Sequence, residues 1–481
     1  MSGSFSPEDA RQLERAWLRN TVDLEDPDIF DYAIRLATLR RLCADDGQWF
    51  EIAPTLDGYR AKLMRVMNAV AQTPWHYPHA SSWNGIGTIA WQADWNPVDL
   101  RGARSCVAQL FREALDCIEN AFPALPRPVL LKTLAHKKLA LALGGGGGTG
   151  FAHLCLFQGL EERGLQPDLL VGTSIGALLG YARALQTHYD AARTTLKLPS
   201  VWGIAKNVMP CFGTGHHGLM GMCRIDISSL LLDIARSFGY TTAPSFRELK
   251  IPFACVASGV LRTHEIEQKL EMNRKSTVRA WWQLTKLTLH NTLTHAAQIG
   301  NLLIAEHVVR PVVLGFDDVT KPMLAADGVQ FSMLVPGVLN FELPQHHYQS
   351  REILDRVFER DHLYRLADGG LASNVPVRAA EREILSGRLK SENVYLLGVD
   401  VFAPQKTDGL FYPLEQIANA NALDDAQHAD AFVRLQYLLS PMNLCPSLKQ
   451  LHWLNVQFRK TFDVEMRILA RAMKPLSLAG I

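Results

Sequence analysis

The sequence predicts an α/β protein with a mainly parallel sheet, preceded by a helical N-terminal domain. From Lys137 onward, short apolar runs alternate with helical segments, an order typical of parallel strands joined by right-handed crossovers. Before that point, apolar residues recur at three-to-four spacing, and the Pro-rich stretch "PALPRP" separates the two regions. The helical segments are "PEDARQLERAWLRN", "IFDYAIRLATLRRL", "DGYRAKLMRVMNAVAQ" and "GARSCVAQLFREALDCIENAF".

Composition and charge exclude several classes of protein. The chain has 481 residues, 48% of them hydrophobic, and a net charge of +1, which favours a folded protein and disfavours a general nucleic-acid binder. The eight cysteines are scattered without a disulfide framework, as in proteins of a reducing compartment. The polar N-terminus and the lack of a long apolar run predict neither a secretory signal nor a spanning helix. We therefore expect a cytoplasmic protein.

The alternating elements can be assigned in order along the chain. "KKLALAL" predicts a first strand and "FAHLCLFQGLEERG" a helix that ends at Gly164, a residue suited to helix C-termini. "PDLLVG" predicts a second buried strand, followed by the helix "SIGALLGYARALQ". Further strands are predicted at "IPFACVASGV" and "NVYLLGVDVF", and helical patterns return from about residue 412.

Five consecutive glycines lie between the first strand and its helix, in "LALGGGGGTGFAHL". A loop at this place exposes backbone amides at a helix N-terminus. A phosphate-binding P-loop is excluded, because Phe151 stands where that motif requires Lys. Gly145, Gly147 and Gly150 satisfy the dinucleotide pattern G-x-G-x-x-G, but the nearest acid, Asp168, precedes the second strand instead of following it. A dinucleotide site is therefore the weaker alternative.

The second strand leads into "GTSIG", a G-x-S-x-G motif centred on Ser174. A nucleophilic serine on a tight strand-to-helix turn needs small neighbours, and Gly172 and Gly176 meet that need. A serine that attacks an ester carbonyl also needs donors for the oxyanion that forms. The predicted donors are the backbone amides of Gly145, Gly146 and Gly147.

Ser174 requires a base, and the predicted base is Asp368, which opens "DGGLASNVPV". Gly369 and Gly370 allow a sharp bend behind its carboxylate, and Asn374 and Pro376 begin the next helix. The Asp-Gly pairs at Asp327 and Asp408 lack the second glycine and the N-x-P, and they predict plain turns.

These blocks resemble the patatin-like phospholipase family over residues 139–381. The family's pattern matches "GGGGGTG", which ends at Gly150, then "GTSIG" and "DGGLASNVP", in that order. "FSMLVPGVL" resembles a further family block through Ser332, Pro336 and Gly337. The resemblance implies a three-layer α/β/α core, a Ser174–Asp368 dyad and hydrolysis of fatty-acyl esters through an acyl-enzyme. No metal or organic cofactor is expected.

The predicted organisation is a helical accessory domain at 1–135, a catalytic domain at 136–405 and a C-terminal helical region at 406–481 that packs on it. The predicted function is a lipid acyl hydrolase of the phospholipase A or lysophospholipase type. Thr149 departs from the Arg or Lys usual in the family's glycine loop. Two alternatives stay open: an acyltransferase with the same dyad, and a lipid-binding scaffold with a weakened site.

Four histidines are candidates for the third member of a triad, and the sequence favours structural or surface roles for them. Another segment, Cys211–His216–His217–Cys223, offers soft metal ligands, but its spacing matches no standard zinc site, and an ordinary loop is predicted. The four candidate histidines for the triad are His153, His362, His428 and His452.

A membrane-contacting helix is a further hypothesis. The stretch "NRKSTVRAWWQLTKLTLHNTL" places Trp281 and Trp282 among four cations, a pattern that suits a lipid interface. The competing interpretation is that both tryptophans pack in the core. The expected partners are an acyl-lipid substrate and the membrane surface, with no nucleic acid; the sequence does not predict an oligomeric state.

Overall fold

Chain segments described by the structure, a computed structural model, begin at Ala135 apart from three isolated positions. They are 135–196, 208–213, 216–265, 267–268, 303, 307–389, 391, 393–403, 412–435, 439–441 and 443–475. The predicted helical domain at 1–135 and the Trp281–Trp282 segment therefore lie outside the described residues.

The described strands form two sheets. Seven strands make the main sheet, in the order β10-β9-β1-β2-β5-β6, with β8 also paired to β5; β3, β4 and β7 make the second sheet. The strands are β1 (Lys138–Leu143), β2 (Leu169–Thr173), β3 (Val208–Gly213), β4 (Gly221–Ile225), β5 (Phe253–Leu261), β6 (Val309–Leu314), β7 (Gly337–Asn340), β8 (Leu363–Ala367), β9 (Val394–Asp400) and β10 (Ala431–Arg434).

Helices flank the main sheet. The described helices are α1 (Ala152–Glu161), α2 (Ile175–Ala184), α3 (Ala191–Leu196), α4 (Ser228–Ser237), α5 (Ala325–Ser332), α6 (Tyr348–Arg360), α7 (Val377–Leu385), α8 (Tyr412–Ala426) and α9 (Leu448–Ala472). Every residue of α2 is buried, as expected of a helix that packs on a sheet and is covered by other elements.

The predicted α/β class with a mainly parallel sheet is confirmed. β1 pairs with β2, β2 with β5, and β10 with β9, all in parallel. The central strands read as continuous apolar runs because parallel strands are buried on both faces, and all five residues of β2 are buried.

Two features of the sheets differ from the sequence expectations. β6 and β8 run antiparallel to β5, whereas the alternation of strands and helices predicted parallel strands. In addition, β10 lies inside the predicted C-terminal helical region. Its four residues are too few for periodicity to separate a buried strand from a helix segment.

Contact density divides the chain into two compact units. The first comprises residues 1–138, 390–394 and 467–481, and the second comprises 139–389 and 395–466. All of the predicted site residues belong to the second unit. Among the described residues, no helix combines the length and apolar character needed to cross a bilayer.

Candidate active site

Two strands that run in opposite directions meet end to end beside β5. β2 pairs with β5 as far as Thr173↔Val256, and β8 approaches from the other end as far as Ala367↔Ser258. Because β6 occupies the opposite edge of β5, β2 and β8 share one edge, and their C-terminal ends converge. The residues that follow them are Ser174 and Asp368.

Ser174 occupies a strained turn between β2 and α2. Its φ of 53° and ψ of −122° lie outside the regions that non-glycine residues readily adopt. Its backbone N–H donates to the Ser332 hydroxyl at 2.8 Å, and that hydroxyl donates to the Val256 carbonyl at 2.6 Å. Ser332, which the sequence singled out without a role, thus holds the backbone of the turn in place.

The glycines beside Ser174 are required by close approach of the backbone. A Cβ at Gly172 would lie 2.4 Å from the Gly176 carbonyl oxygen, and one at Gly176 would lie 2.3 Å from the Leu143 carbonyl oxygen. At Gly150, an added Cβ would lie 2.2 Å from the Ile175 side chain. These distances are well below normal contact. The turn from Gly172 to Gly176, called the elbow below, therefore admits no side chain at either glycine, and a side chain at Gly150 would displace Ile175.

The Ser174 side chain lies close enough to the Asp368 carboxylate to lower its pKa, and the carboxylate accepts the Gly370 N–H at 2.8 Å. Burial raises the pKa of Asp368 to about 6, and the neighbouring Ser174 side chain and the Gly370 N–H oppose part of that rise. Both residues keep a partly accessible surface. The structure therefore brings the two predicted catalytic residues close together.

The backbone of Asp368 is also held at both ends. Its N–H donates to the Leu334 carbonyl, and its carbonyl accepts the Ser258 hydroxyl, each at 2.7 Å. Gly369 has an ordinary negative φ, so the predicted sharp bend is not what requires a glycine there. An added Cβ would lie 2.1 Å from the Val256 carbonyl oxygen, and close packing on β5 is the physical reason.

The glycine loop lies against the elbow. A Cβ at Gly145 would lie 3.1 Å from the Ser174 Cβ. The Gly145 N–H donates to the Asn374 carbonyl at 3.1 Å, so this predicted oxyanion donor is already engaged. In the part of the chain that the structure describes, Gly146 and Gly147 have no partner for their N–H groups, and both have positive φ, 151° and 57°.

Thr149 closes the loop where the family usually carries a cation. Its hydroxyl donates to the Gly146 carbonyl at 2.7 Å, and the side chain is buried. A second contact covers the loop from the C-terminal side, because the Gly148 N–H donates to the Pro441 carbonyl at 2.7 Å. The loop is thus held by neutral hydrogen bonds.

Asn374 and Pro376 lie where the sequence placed them, just before α7, which begins at Val377. The Asn374 Oδ1 atom lies beside both Gly145 and Gly370, so this buried residue joins the glycine loop to the loop that carries Asp368. Behind it, Ser373 accepts the Thr173 hydroxyl through its carbonyl and donates its own hydroxyl to Asp425.

Two of the four candidate histidines bond groups other than Asp368, and the other two are exposed. His153 is fully buried and bonds the Gly144 carbonyl through Nε2, and burial lowers its pKa to about 4. His428 bonds Glu381 on α7, while His362 and His452 are exposed. The groups that act on the Asp368 carboxylate are Ser174 and Gly370.

A serine on a strained strand-to-helix turn, within a mostly parallel sheet, is the arrangement of the serine hydrolase class. The model of one family within that class, described as patatin-like phospholipase, matches residues 141–381, about half of the chain. The chain belongs to the patatin-like phospholipase family.

Curated relatives match shorter segments. Lysophospholipase NTE1 of Mycosarcoma maydis is 39% identical over 95 residues, 18% of this chain and 5% of that protein. The protein of the same name from Cryptococcus neoformans is 30% identical over 184 residues, 36% of this chain and 10% of its own length. The one from Kluyveromyces lactis is 41% identical over 80 residues, 17% and 5%. The chain thus matches a small part of these relatives.

Proposed function

We propose that this protein hydrolyses fatty-acyl ester bonds of phospholipids or lysophospholipids through an acyl-enzyme on Ser174. The observation that carries the proposal is the closeness of the Ser174 side chain, at the strained turn, to the Asp368 carboxylate. Membership in the patatin-like phospholipase family and the relatives named lysophospholipase support the substrate class.

In the proposed reaction, Asp368 takes the Ser174 proton as the hydroxyl oxygen attacks the ester carbonyl carbon. The carbonyl oxygen becomes an oxyanion, which the free amides of Gly146 and Gly147 stabilise. The protonated Asp368 then gives its proton to the departing alcohol. Water, deprotonated by Asp368, attacks the acyl-enzyme and releases the fatty acid and the serine.

The Thr149 hydroxyl supports an intact site over a weakened one. A cation is missing from the loop, but the buried bond from Thr149 to the Gly146 carbonyl fixes the peptide units that the reaction needs. Because the predicted donors are backbone amides, loss of the cation leaves them in place. The proposed substrates reside in membranes, so we also propose that the enzyme contacts the bilayer peripherally. The cytoplasmic location that we propose rests on the scattered cysteines, which are typical of a reducing compartment.

Two variants, Ser174→Ala and Asp368→Ala, test the dyad. Each should lower kcat/KM for a chromogenic acyl ester and for lysophosphatidylcholine by at least about 1,000-fold, because base and nucleophile act as a unit. Ser386→Ala and Asp318→Ala, which alter exposed residues of the same types, should retain full activity.

A fluorophosphonate probe gives a second measurement on the same proteins. It should label the wild type and lose labelling in Ser174→Ala. Full hydrolysis by folded Asp368→Ala would exclude Asp368 as the base, and a wild type that is folded but unlabelled would favour a lipid-binding scaffold. Transfer of the acyl chain to an added alcohol in preference to water would favour the acyltransferase.

A further inference from the structure

Two adjacent histidines, His216 and His217, lie beside a single carboxylate, that of Asp355. The Asp355 Oδ1 atom lies 2.8 Å from the His217 Nε2 atom and 3.6 Å from the His216 Nε2 atom. All three ligand atoms lie within 4.8 Å of one another. Among the described residues, this is the group of His, Cys, Asp and Glu side chains with metal-binding spacing.

The protein holds one of the three ligands, His217, in a fixed position. The His217 backbone carbonyl accepts the Leu366 N–H of β8 at 2.7 Å. Its ring is 3% exposed and packs edge-on against the Phe358 ring, with 5.0 Å between centroids. Asp355 lies on α6, the helix that precedes β8. His216 and Asp355 have exposed side chains, 66% and 53%, so one side of the cluster is open to water.

These ligands differ from the set that the sequence suggested. The spacing Cys211–His216–His217–Cys223 paired the histidines with two cysteines. In the structure, Cys223 lies within β4, in register with Leu339 of β7, and the side chain of Cys211 is outside the described residues. A carboxylate 138 residues away in the chain completes the group instead, which no local spacing could reveal.

A second His-His pair in the same chain provides an internal comparison. His347 lies 2.9 and 3.0 Å from the two oxygens of Asp327, which is fully buried. His346 packs against the His347 ring, but its nitrogens are outside the metal-binding spacing that defines the other group. The first pair therefore brings three ligands together, and the second forms a two-residue ion pair.

We propose that His216, His217 and Asp355 bind a zinc ion, with water as the fourth ligand. Two imidazoles and one carboxylate are a donor set that zinc accepts, with an open position left for solvent. Tetrahedral bonds of this kind separate ligand atoms by about 3.3 Å, so only small side-chain movements are needed from the present distances. The hydrolysis proposed above has no step that uses this ion.

The position of the proposed zinc site predicts that ion binding stabilises the strand next to Asp368. The segment after His217 pairs with β8 through Gly218↔Leu366, and the Leu219 N–H donates to the Leu366 carbonyl at 2.7 Å. β8 ends immediately before Asp368. A zinc ion would join this segment to α6, so binding should stabilise the part of the sheet that carries Asp368.

Isothermal titration of the full-length, chelator-treated protein with zinc chloride tests the proposal. We expect one ion per chain and a higher unfolding temperature with zinc, and neither effect with magnesium, which prefers all-oxygen ligands. His216→Ala and Asp355→Asn should each weaken binding by at least about tenfold. His346→Ala is the matched control and should bind zinc as the wild type does.

His216→Ala also separates zinc binding from folding, because it leaves the His217–Asp355 hydrogen bond in place. Its unfolding temperature without zinc should equal that of the wild type. Wild-type binding of zinc by His216→Ala and Asp355→Asn, or no binding by the wild type itself, would overturn the proposal. Both readouts are independent of hydrolysis, so they hold whether or not the Ser174–Asp368 proposal does.

Discussion

Asp368 combines two properties that a base needs at neutral pH. Burial raises its pKa to about 6, while the donors on its carboxylate, Ser174 and Gly370, are neutral. The carboxylate is therefore ionised at pH 7.5, yet basic enough to accept a proton from the serine. An arginine beside the Asp368 carboxylate would remove that basicity, because a neighbouring positive charge lowers the pKa of a carboxylate.

This pKa predicts the pH profile of the enzyme. If the ionised form of Asp368 is the base, as proposed, kcat/KM should be level above about pH 7 and fall about tenfold per pH unit well below pH 6. Initial rates on a neutral chromogenic ester between pH 4.5 and 8.5 measure it, with folding checked by circular dichroism. A rate that stays level down to pH 4.5 would contradict the role of Asp368.

The same group predicts a gain in stability upon its removal. A carboxyl whose folded pKa exceeds its unfolded value binds protons more tightly when folded, so the ionised group destabilises the fold above pH 6. Asp368→Asn should therefore raise the free energy of unfolding by about 3 kcal/mol at pH 7.5. The gain should disappear near pH 4, and Asp318→Asn, at an exposed site, should show no such gain.

At the scale of elements, the elbow depends on how closely α2 approaches the sheet. Gly176 faces the carbonyl oxygens of Leu143 and Gly144 at the end of β1, where an added Cβ would lie 2.3 and 2.6 Å away. Gly159, in the last turn of α1, would place a Cβ no closer than 3.6 Å from the Met466 side chain. The two glycines thus serve different purposes within similar helices.

Alanine at each glycine should give opposite results. Gly176→Ala must push α2 from β1, and we expect a loss of about 3 kcal/mol in unfolding free energy together with most of the activity. Gly159→Ala meets ordinary contacts and should gain up to about 1 kcal/mol through helix propensity, with activity unchanged. Urea unfolding measures both, and equal stability of the two variants would contradict the argument.

At the scale of the whole molecule, the sequence revealed the parallel core because buried parallel strands leave continuous apolar runs. It also revealed Ser174 and Asp368, because the turns that carry them demand unusual residue patterns. The contact between them was not derivable from local pattern. That contact depends on β8 running antiparallel to β5, which brings the C-terminal end of β8 to the end of β2. The direction of a five-residue strand leaves no signature in its sequence.

Long-range hydrogen bonds could not be predicted from the sequence either, because they depend on tertiary structure and leave no local pattern. Ser332 reaches the Ser174 amide across 158 positions of chain, and the Gly145 amide, one of three predicted oxyanion donors, donates to the Asn374 carbonyl. The packing of Pro441 on the glycine loop is likewise a tertiary contact. Glycine content indicated that the backbone approaches something closely, but not what it approaches.

A shortened protein tests how far the working unit extends. The family match ends at residue 381, whereas β9 lies beside β1 in the sheet and the Val399 carbonyl accepts the Gly144 N–H at 3.0 Å. A fragment of residues 139–381 should fail to give a cooperative unfolding transition, because β1 would become an exposed edge. A fragment of residues 139–466 should unfold cooperatively, and equal behaviour of both would contradict this.

The contact of Pro441 with Gly148 has a practical meaning for anyone who edits this gene product. A stretch of chain far outside the recognisable family segment presses on the loop that is proposed to polarise the substrate. The extent of the family match therefore shows which residues are recognisably related to the family. It does not show where the protein can be truncated, tagged or fused without loss of function.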